Sequence, residues 1–497
     1  MERVPYDPPP ADAYAAAPLL NCLLREVAQP TAEPGVHRLP SGRLLRVRGG
    51  RRPTEPELIT GPGLDLTEPE RDGAHRPDRT THPLDHPALV KLVAEELRLH
   101  TGLDNHELPA EMLDSREAVA AILDARARVT PPADLYRRSE QSLVTGHPYH
   151  PAPKARGGGP AAAWLPYAPE AYASFPLTLL GVREDLVVEE GDVRALDAFG
   201  EAPPGYRLLP AHPWQLALIG ETLRQAFEDG DLVRLGTTGD TWPTAAIRTV
   251  HDPARDLFLK FSLDVRITND IRRLWAHDLR KLRRTDEAAA RALPGAWLSD
   301  RGYRTAAFAF EELAVLVRDG FGDLGATPLL AAGLTEGFDG SPLAATPDPG
   351  GWWTAYLGAV VRPALTAFAA GVVLEAHAQN TLVAVDGSGT PVRALYRDAE
   401  GVKLLADVGR AAGWERLVYT LVVNHLTEAA GALVEHHPGF DPWPAVRHEF
   451  ARCDLPEAAA LLTAPTLPGK TNLLLRWTGA DGADARYLPL PNPLAGS

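Results

Sequence analysis

The residues of this chain best suited to chemistry fall in three stretches. The first, residues 142–159 (SLVTGHPYHPAPKARGGG), sets His147, His150, Lys154 and Arg156 among prolines and glycines. Pro148 and Pro151 directly follow the histidines. Proline fixes φ and pushes the residue before it out of the helical region, so the stretch reads as a stiff, extended loop. Gly157, Gly158 and Gly159 would let the backbone approach a ligand closely. Cationic and imidazole side chains on a rigid loop suit an anion such as a carboxylate or a phosphate. Two other readings stand beside this one. Basic Pro/Gly-rich segments also serve as plain solvated connections. Histidines three positions apart also suggest a metal, although the loop offers no cysteine, third histidine or carboxylate to complete a zinc site.

The second stretch is residues 244–274, TAAIRTVHDPARDLFLKFSLDVRITNDIRRL. Ile247, Thr249, Leu257, Leu259, Phe261 and Leu263 alternate, which predicts a hairpin. Arg248, Lys260 and Ser262 have the opposite parity, so strand alternation would put Arg248 and Lys260 on one face. Arg266, Thr268 and Arg272 follow. Such a cationic cluster can neutralise a triphosphate; the same pattern also fits the solvated face of an edge hairpin. The third stretch, LEAHAQN at 374–380, begins where a long apolar run ends. Residues 382–385 and 394–396 read as strands around a turn at 386–389, with Asp398 beyond them. Glu375, Asn380 and Asp398 are hard oxygen donors of the kind Mg²⁺ prefers. Caps and satisfied core groups account for such residues equally well.

These stretches need elements to position them. The 497 residues suggest two to four domains or one large enzyme of intimate subdomains. A 45% hydrophobic content permits a sizeable core. A net charge of −15 argues against general nucleic-acid binding but leaves room for a local positive pocket. Two cysteines, Cys22 and Cys453, exclude a disulfide framework and make the cytoplasm the expected location. The N-terminus lacks the pattern of a secretory signal, and no uninterrupted apolar span reads as long enough to cross a bilayer.

Periodicity predicts a helix over 11–28, with Leu19, Cys22, Leu23 and Val27 on one side, and two short strands at 35–48. A long loop is expected from 51 to 87, then helices at 87–100, 115–127 and 132–142. Residues 160–250 read as β-rich, with His212-Pro213-Trp214-Gln215 either a second ligand-facing turn or plain packing. Residues 276–350 return to helix and loop. Pro363 and Gly371 interrupt the apolar run 352–374, which predicts a buried helix pair or one kinked helix. Residues 403–464 read as helical. The segment PGKTNLLLRW at 468–477 fails as a nucleotide loop, because Ala464 stands where the first glycine is required.

The pieces LLNCLLRE, TGHPYHPAPKARGG, AAIRTV with KFSLDVRITNDIRRL, and EAHAQN followed by RD occur in this order over about residues 19–476. Together they resemble the IucA/IucC family, the NRPS-independent siderophore synthetases. The resemblance implies an α+β fold of cupped-hand form: a mainly helical thumb (1–135), β-rich fingers carrying the HPxHP loop and an ATP-binding hairpin (136–300), and a mostly helical palm with the EAHxQN site (301–497). It implies an enzyme that uses ATP and Mg²⁺ to adenylate citrate or a related polycarboxylate. An amine, a hydroxylamine-type compound or an alcohol then attacks, giving an amide or ester. His147, Lys260, Arg272 and His377 are implied as catalytic. Lys154, Arg248, Lys260, His377, Asn380 and Asp398 are implied for ATP, and His147, Thr268 and Arg272 for the acid. Glu375, Asn380 and Asp398 are implied for the metal. A cytoplasmic homodimer without nucleic-acid or membrane partners is implied as well.

The chain departs from the family pattern in two ways. Ala245 and Ala246 stand where the family carries serine before Arg248, which puts the acid in question. The chain also reads as shorter than typical members, which bears on the nucleophile site and the dimer contacts. Three other functions follow from the same residues: the same chemistry on another acid in another natural-product pathway, a nucleotide-binding homologue that has lost catalysis, and a histidine-based metal hydrolase, for which no HExxH pattern stands in the sequence.

Overall fold

Leucines and alanines at helical spacing form the first element, the helix Pro10–Glu26, in which Leu19, Leu20, Cys22 and Leu23 are completely buried. A computed structural model describes residues 10–60, 80–268, 270–480 and 487–495. The first helix packs on His86–Thr101 and Glu107–Arg126. The former starts where Asp85 accepts from the Ala88 amide and ends at Gly102, whose φ of 73° suits a left-handed cap.

A five-stranded antiparallel sheet lies in the same region, with strands Gln29–Pro30, Val36–Arg38, Leu44–Arg48, Thr54–Thr60 and Thr80–Pro83 in that order. The stretch 51–87, expected as one long loop, therefore contributes two strands. Pro56 sits within Thr54–Thr60, and a register shift opposite it, between Arg46 and Arg48, accommodates the irregularity. Residues 61–79 of that stretch lie outside the described residues.

Eight antiparallel strands form the second sheet, in the order Val187–Gly191, Asp300–Ala306, Val315–Asp319, Leu257–Phe261, Thr249–Asp252, Leu232–Pro243, Phe175–Arg183 and Tyr206–Ala211. Asp300–Ala306 and Val315–Asp319 carry it past the expected boundary at 300. Period-two alternation sends Val250, Leu257, Leu259 and Phe261 into one core and Phe258 into another with Tyr136 and Trp242. Two helices, Pro213–Leu218 and Gly220–Glu228, interrupt the region read as β-rich. His212 takes the packing role of the two expected for it. It is 1% exposed, and its Nδ1 accepts from the Trp214 amide as the cap of a helix that begins with proline.

The third region is built round Pro349–Ala369, one helix despite Pro363. Its Trp353, Tyr356, Leu357, Val360 and Val361 are fully buried, and this packing outweighs the local cost of the proline. Against it lies a three-stranded sheet of Thr327–Leu330, Thr381–Val385 and Pro391–Tyr396. A continuous helix over Arg410–His436 is long and apolar enough to cross a bilayer, contrary to the expectation from sequence, but 78% of its apolar window is buried inside the protein. The chain closes on itself: the Leu473 and Leu474 amides donate to the two carboxylate oxygens of Glu26, at 2.9 and 2.8 Å.

Burial holds His86 at about 4, His212 at about 3 and His425 at about 4. Below the ordinary histidine value of about 6.5 the unfolded chain therefore binds more protons than the folded one. Unfolding free energy should fall as pH drops from about 6.5 to about 4, by up to about 1.4 kcal/mol per pH unit for each histidine. Glu26, which burial pushes up to about 7, and Asp278, Asp286 and Asp319, also raised by burial, act in the opposite sense, while His147, lowered to about 3, adds to the three histidines. Urea midpoints at pH 7, 6 and 5 test this; a midpoint that stays constant would contradict it.

Candidate active site

The three stretches meet at a cavity of 430 Å³, and His147, Lys154, Arg248, Lys260, Thr268, Arg272, Glu375, His377, Asn380 and Asp398 all line it. The central loop is pinned from outside. Glu336 Oε1 accepts from both the Thr145 amide and hydroxyl, at 2.9 and 2.8 Å, Ser115 Oγ accepts from the Lys154 amide at 3.0 Å, and Asp114 accepts from the Arg156 amide at 2.6 Å. His147 Nδ1 accepts from the Tyr149 amide at 3.0 Å, which leaves the ring proton on Nε2. Burial, with His377, Arg25 and Lys470 nearby, lowers His147 to about 3, so it is a neutral N–H donor and not a cation.

His150 is buried and its Nδ1 accepts from the Ala152 amide, which makes it a brace of the loop. Lys154 and Arg156 are buried against one carboxylate, Glu170. The glycine trio does not cradle a ligand: Gly157, Gly158 and Gly159 are exposed and stand outside the cavity lining. The glycine that matters is Gly146, at φ 80°, where a Cβ would lie 2.9 Å from Lys154 Cε.

The hairpin forms as expected, but its register changes the argument for the cationic cluster. Lys260 is paired with Thr249, whereas the Phe261 amide donates to the Arg248 carbonyl at 2.8 Å. Cross-strand partners share a face, so alternation alone would separate Arg248 from Lys260. Carboxylates unite them instead. Lys260 Nζ lies 2.5 Å from Asp398 Oδ1 and also contacts Glu400 Oε2, and Arg248 Nη2 approaches that same Glu400 oxygen at 3.4 Å. Arg318 holds Asp300 at 2.6 Å and reaches Asp398 at 3.4 Å. Burial pushes the Asp398 carboxyl up, but Lys260 and Arg318 outweigh it and hold the group far below the usual range. Arg397 grips the buried Glu140 at 2.5 Å, and Glu140 accepts from the Ala245 amide at 2.9 Å, fixing the turn before Arg248.

Arg272 differs from these cations. Its Nη2 donates to Thr268 Oγ1, and among the described residues no carboxylate lies within ion-pair distance of it. Burial and then Arg248 lower it to about 10. Ile247, Thr268 and Asp398 carry φ of 61°, 61° and 83°, and all three line the cavity. Two of them are β-branched, so three of the six non-glycine residues with positive φ among the described residues bring backbone strain to the cavity.

His377 lies on a bend fixed from below. His425 Nδ1 donates to the Ala376 carbonyl at 2.9 Å while its Nε2 accepts from the Tyr356 hydroxyl at 2.5 Å. Burial lowers His377 as well. Glu375 is ion-paired with Arg416 and lies against Gly401, where a Cβ would come within 2.4 Å of its Oε2. Among the described residues no three His, Cys, Asp or Glu side chains converge as a metal cage. Glu375, Asn380 and Asp398 share the cavity, but both carboxylates already face cations. Ala245 and Ala246 also line it and bring methyl groups where a hydroxyl was expected. Glu140, Asp300, Arg318, Arg397, Glu400 and Arg416 were missed in the sequence, where each is one charge among many. The Arg397-Asp398 dipeptide was the only nearby signal.

A sequence profile of the IucA / IucC family matches residues 135–336, and a profile described as ferric iron reductase FhuF-like transporter matches residues 351–485. The L-2,3-diaminopropanoate–citrate ligase of Staphylococcus aureus is 30% identical over 443 residues, covering 73% of this chain and 75% of that one. The rhizobactin siderophore biosynthesis protein RhbC of Rhizobium meliloti is 29% identical over 451 residues, covering 72% and 75%. The ATP-bound aerobactin synthetase IucA of Klebsiella pneumoniae superimposes with a TM-score of 0.77 at 21% identity, covering 97% of this chain and 100% of that one. The expected α+β architecture is thereby shown.

The Glu140–Arg397 pair gives a stability test. Glu140→Ala leaves a buried guanidinium unpaired and should cost about 3–5 kcal/mol. Urea unfolding of the variant reads this directly, and a loss below about 1 kcal/mol, the level of an exposed pair, would contradict it.

Proposed function

The chain belongs to the IucA/IucC family, and we propose that it is an ATP-dependent ligase that adenylates citrate or a related polycarboxylate and joins it to an amine. The observation that carries this reading is Arg272, a half-buried cation of the cavity wall that has Arg248 beside it and, among the described residues, no carboxylate within ion-pair distance. Holding like charges together is unfavourable until an anion arrives, so the site is preorganised for polyanions. The name of the Staphylococcus aureus relative supports citrate and an amine, and the ATP-bound state of the Klebsiella pneumoniae protein supports the nucleotide.

In this reading Arg272 and Thr268 hold the acid, and the neutral His147 Nε2–H donates to one of its carboxylates. Lys154, Arg248 and Lys260 draw phosphate charge, and Asn380 and His377 lie beside the nucleotide. An acid oxygen attacks the α-phosphorus, the bond to the bridging oxygen breaks, and pyrophosphate leaves. The cations stabilise charge that builds on the phosphoryl oxygens. A neutral amine then attacks the acyl carbon, AMP departs with the electron pair of the broken C–O bond, and the amine's proton is released. His377, which burial keeps neutral, is the base at hand.

Asp398, Glu375 and Asn380 are oxygen donors suited to Mg²⁺. With both carboxylates already matched by cations, they fit a magnesium carried on the nucleotide better than a protein cage. The ion would add charge neutralisation at the phosphates when bound. A reaction on ATP and citrate fits the cytoplasm and siderophore biosynthesis, and this is the setting proposed. The methyls of Ala245 and Ala246 favour one second reading, the same chemistry on a different polycarboxylate.

Incubation with ATP, Mg²⁺, a panel of acids and hydroxylamine tests the reading through pyrophosphate and hydroxamate. Signal with citrate supports the first reading, signal with another acid alone the second, and ATP binding without pyrophosphate from any acid overturns both. Arg272→Ala should cut pyrophosphate release at least about 100-fold without loss of thermal stability, because it strands no carboxylate. Lys260→Ala should abolish turnover and also cost about 3 kcal/mol, since Asp398 and Glu400 then keep only the longer contacts from Arg318 and Arg248, each at 3.4 Å. Full activity in both variants would remove the phosphate-clamp assignment.

A further inference from the structure

The turn that carries His147 is held by side chains and not by a backbone ladder. The His150 amide donates to the His147 carbonyl at 3.2 Å, and Pro148 takes the second place of the turn, which its fixed φ suits. Every other backbone polar group of Pro148 and Tyr149 meets a side chain. Asn21 Nδ2 donates to the Pro148 carbonyl at 3.1 Å, and Asn472 Nδ2 donates to the Tyr149 carbonyl at 2.7 Å. The Tyr149 amide donates to His147 Nδ1 at 3.0 Å. The placement of Tyr149 therefore sets which nitrogen of His147 keeps the proton and how the ring is turned.

Tyr149 is in turn clamped by its ring. Asn21 and Arg25 stand at i and i+4 on the helix Pro10–Glu26 and so share a face. The Arg25 guanidinium carbon lies 3.2 Å from the centre of the Tyr149 ring. Arg25 Nη1 is buried without a hydrogen-bond partner, and attraction to the ring face offsets that loss. The phenol lies against Glu428, which Arg51 approaches at 3.3 Å. Burial and then Glu428 push the phenol up, so the ring is neutral and Arg25 meets its π face, not a phenolate. Glu26, next to Arg25, accepts from the amides of Leu473 and Leu474, which fixes Arg25 and Asn472 beside the same turn. His147 lines the cavity, whereas Arg25 and Tyr149 stand behind it.

We infer that Arg25 and Tyr149 are positioning residues for the acid: the guanidinium, stacked on the ring, fixes the Tyr149 amide and through it the proton-bearing nitrogen of His147. The inference rests on the ligase reading above, in which His147 Nε2–H donates to a carboxylate of the acid.

The test is steady-state hydroxamate formation by the full-length enzyme with ATP, Mg²⁺, hydroxylamine and citrate, or whichever acid of the panel above releases pyrophosphate. Arg25→Gln should raise KM for the acid about 10-fold and leave KM for ATP within about twofold. Tyr149→Leu, which removes the ring face, should do the same, and Tyr149→Phe, which keeps it, should hold the acid KM within about threefold of wild type. The double variant Arg25→Gln/Tyr149→Leu should be no worse than either single one, because both act through one contact. If Arg25→Gln folds poorly, Tyr149→Leu against Tyr149→Phe decides. A loss confined to kcat, in step with a loss of folded enzyme, means that the stack only fastens the first helix to the loop, and overturns the inference. Tyr149→Phe as impaired as Tyr149→Leu gives the role to the phenol and Glu428, and overturns it too. Wild-type pyrophosphate release with an unchanged acid KM in the variants sinks this inference alone. Its absence with every acid sinks the ligase reading and this one together.

Discussion

Lys260, held between Asp398 and Glu400, is the interaction on which the architecture of the site depends. It joins the central hairpin of the eight-stranded sheet to the segment that follows the three-stranded sheet. A buried ion pair contributes little net stability, because desolvation offsets attraction, but it penalises any arrangement that separates its members. Arg318 with Asp398 and Arg248 with Glu400 repeat the device across the same junction, and Arg397 with Glu140 ties the same segment to the helix Leu135–Glu140. The result is a seam whose geometry is specified by charge and not only by apolar contact.

That seam explains why cations and histidines in the cavity behave differently. Cations at the seam are matched by carboxylates and remain charged despite burial. Arg272 has no such match among the described residues, and burial and a like neighbour, Arg248, work against its charge. The histidines are kept neutral by burial, and for His147 by nearby positive charge. Neutral imidazoles donate or accept a proton at set atoms without adding to a positive field. Strain at Ile247, Thr268 and Asp398 is tolerated because the surrounding hydrogen bonds and ion pairs over-determine the backbone there.

Much of the site was legible as residue types at telling places. His147, Lys154 and Arg272 stand out because prolines, glycines and strand alternation surround them with local order. The reasons attached to them were less secure. Alternation was to bring Arg248 beside Lys260, yet the register sets Thr249 there and Glu400 does the joining. The glycine trio promised a cradle and is an exposed turn, while Gly146 makes the close approach. Of the two readings of the turn at His212, packing holds, with His212 a buried helix cap.

Local pattern in the sequence determined the helices at 10–26, 86–101 and 349–369, the hairpin, and the family likeness carried by ordered motifs, because propensity, periodicity and turn chemistry act over a few residues. Tertiary structure alone decided which charges meet. Glu140 and Arg397 are 257 positions apart, Lys260 and Glu400 140, and Arg51 and Glu428 377. Coulomb energy and desolvation depend on distance in space and on burial, and neither quantity is written in the spacing of residues along the chain.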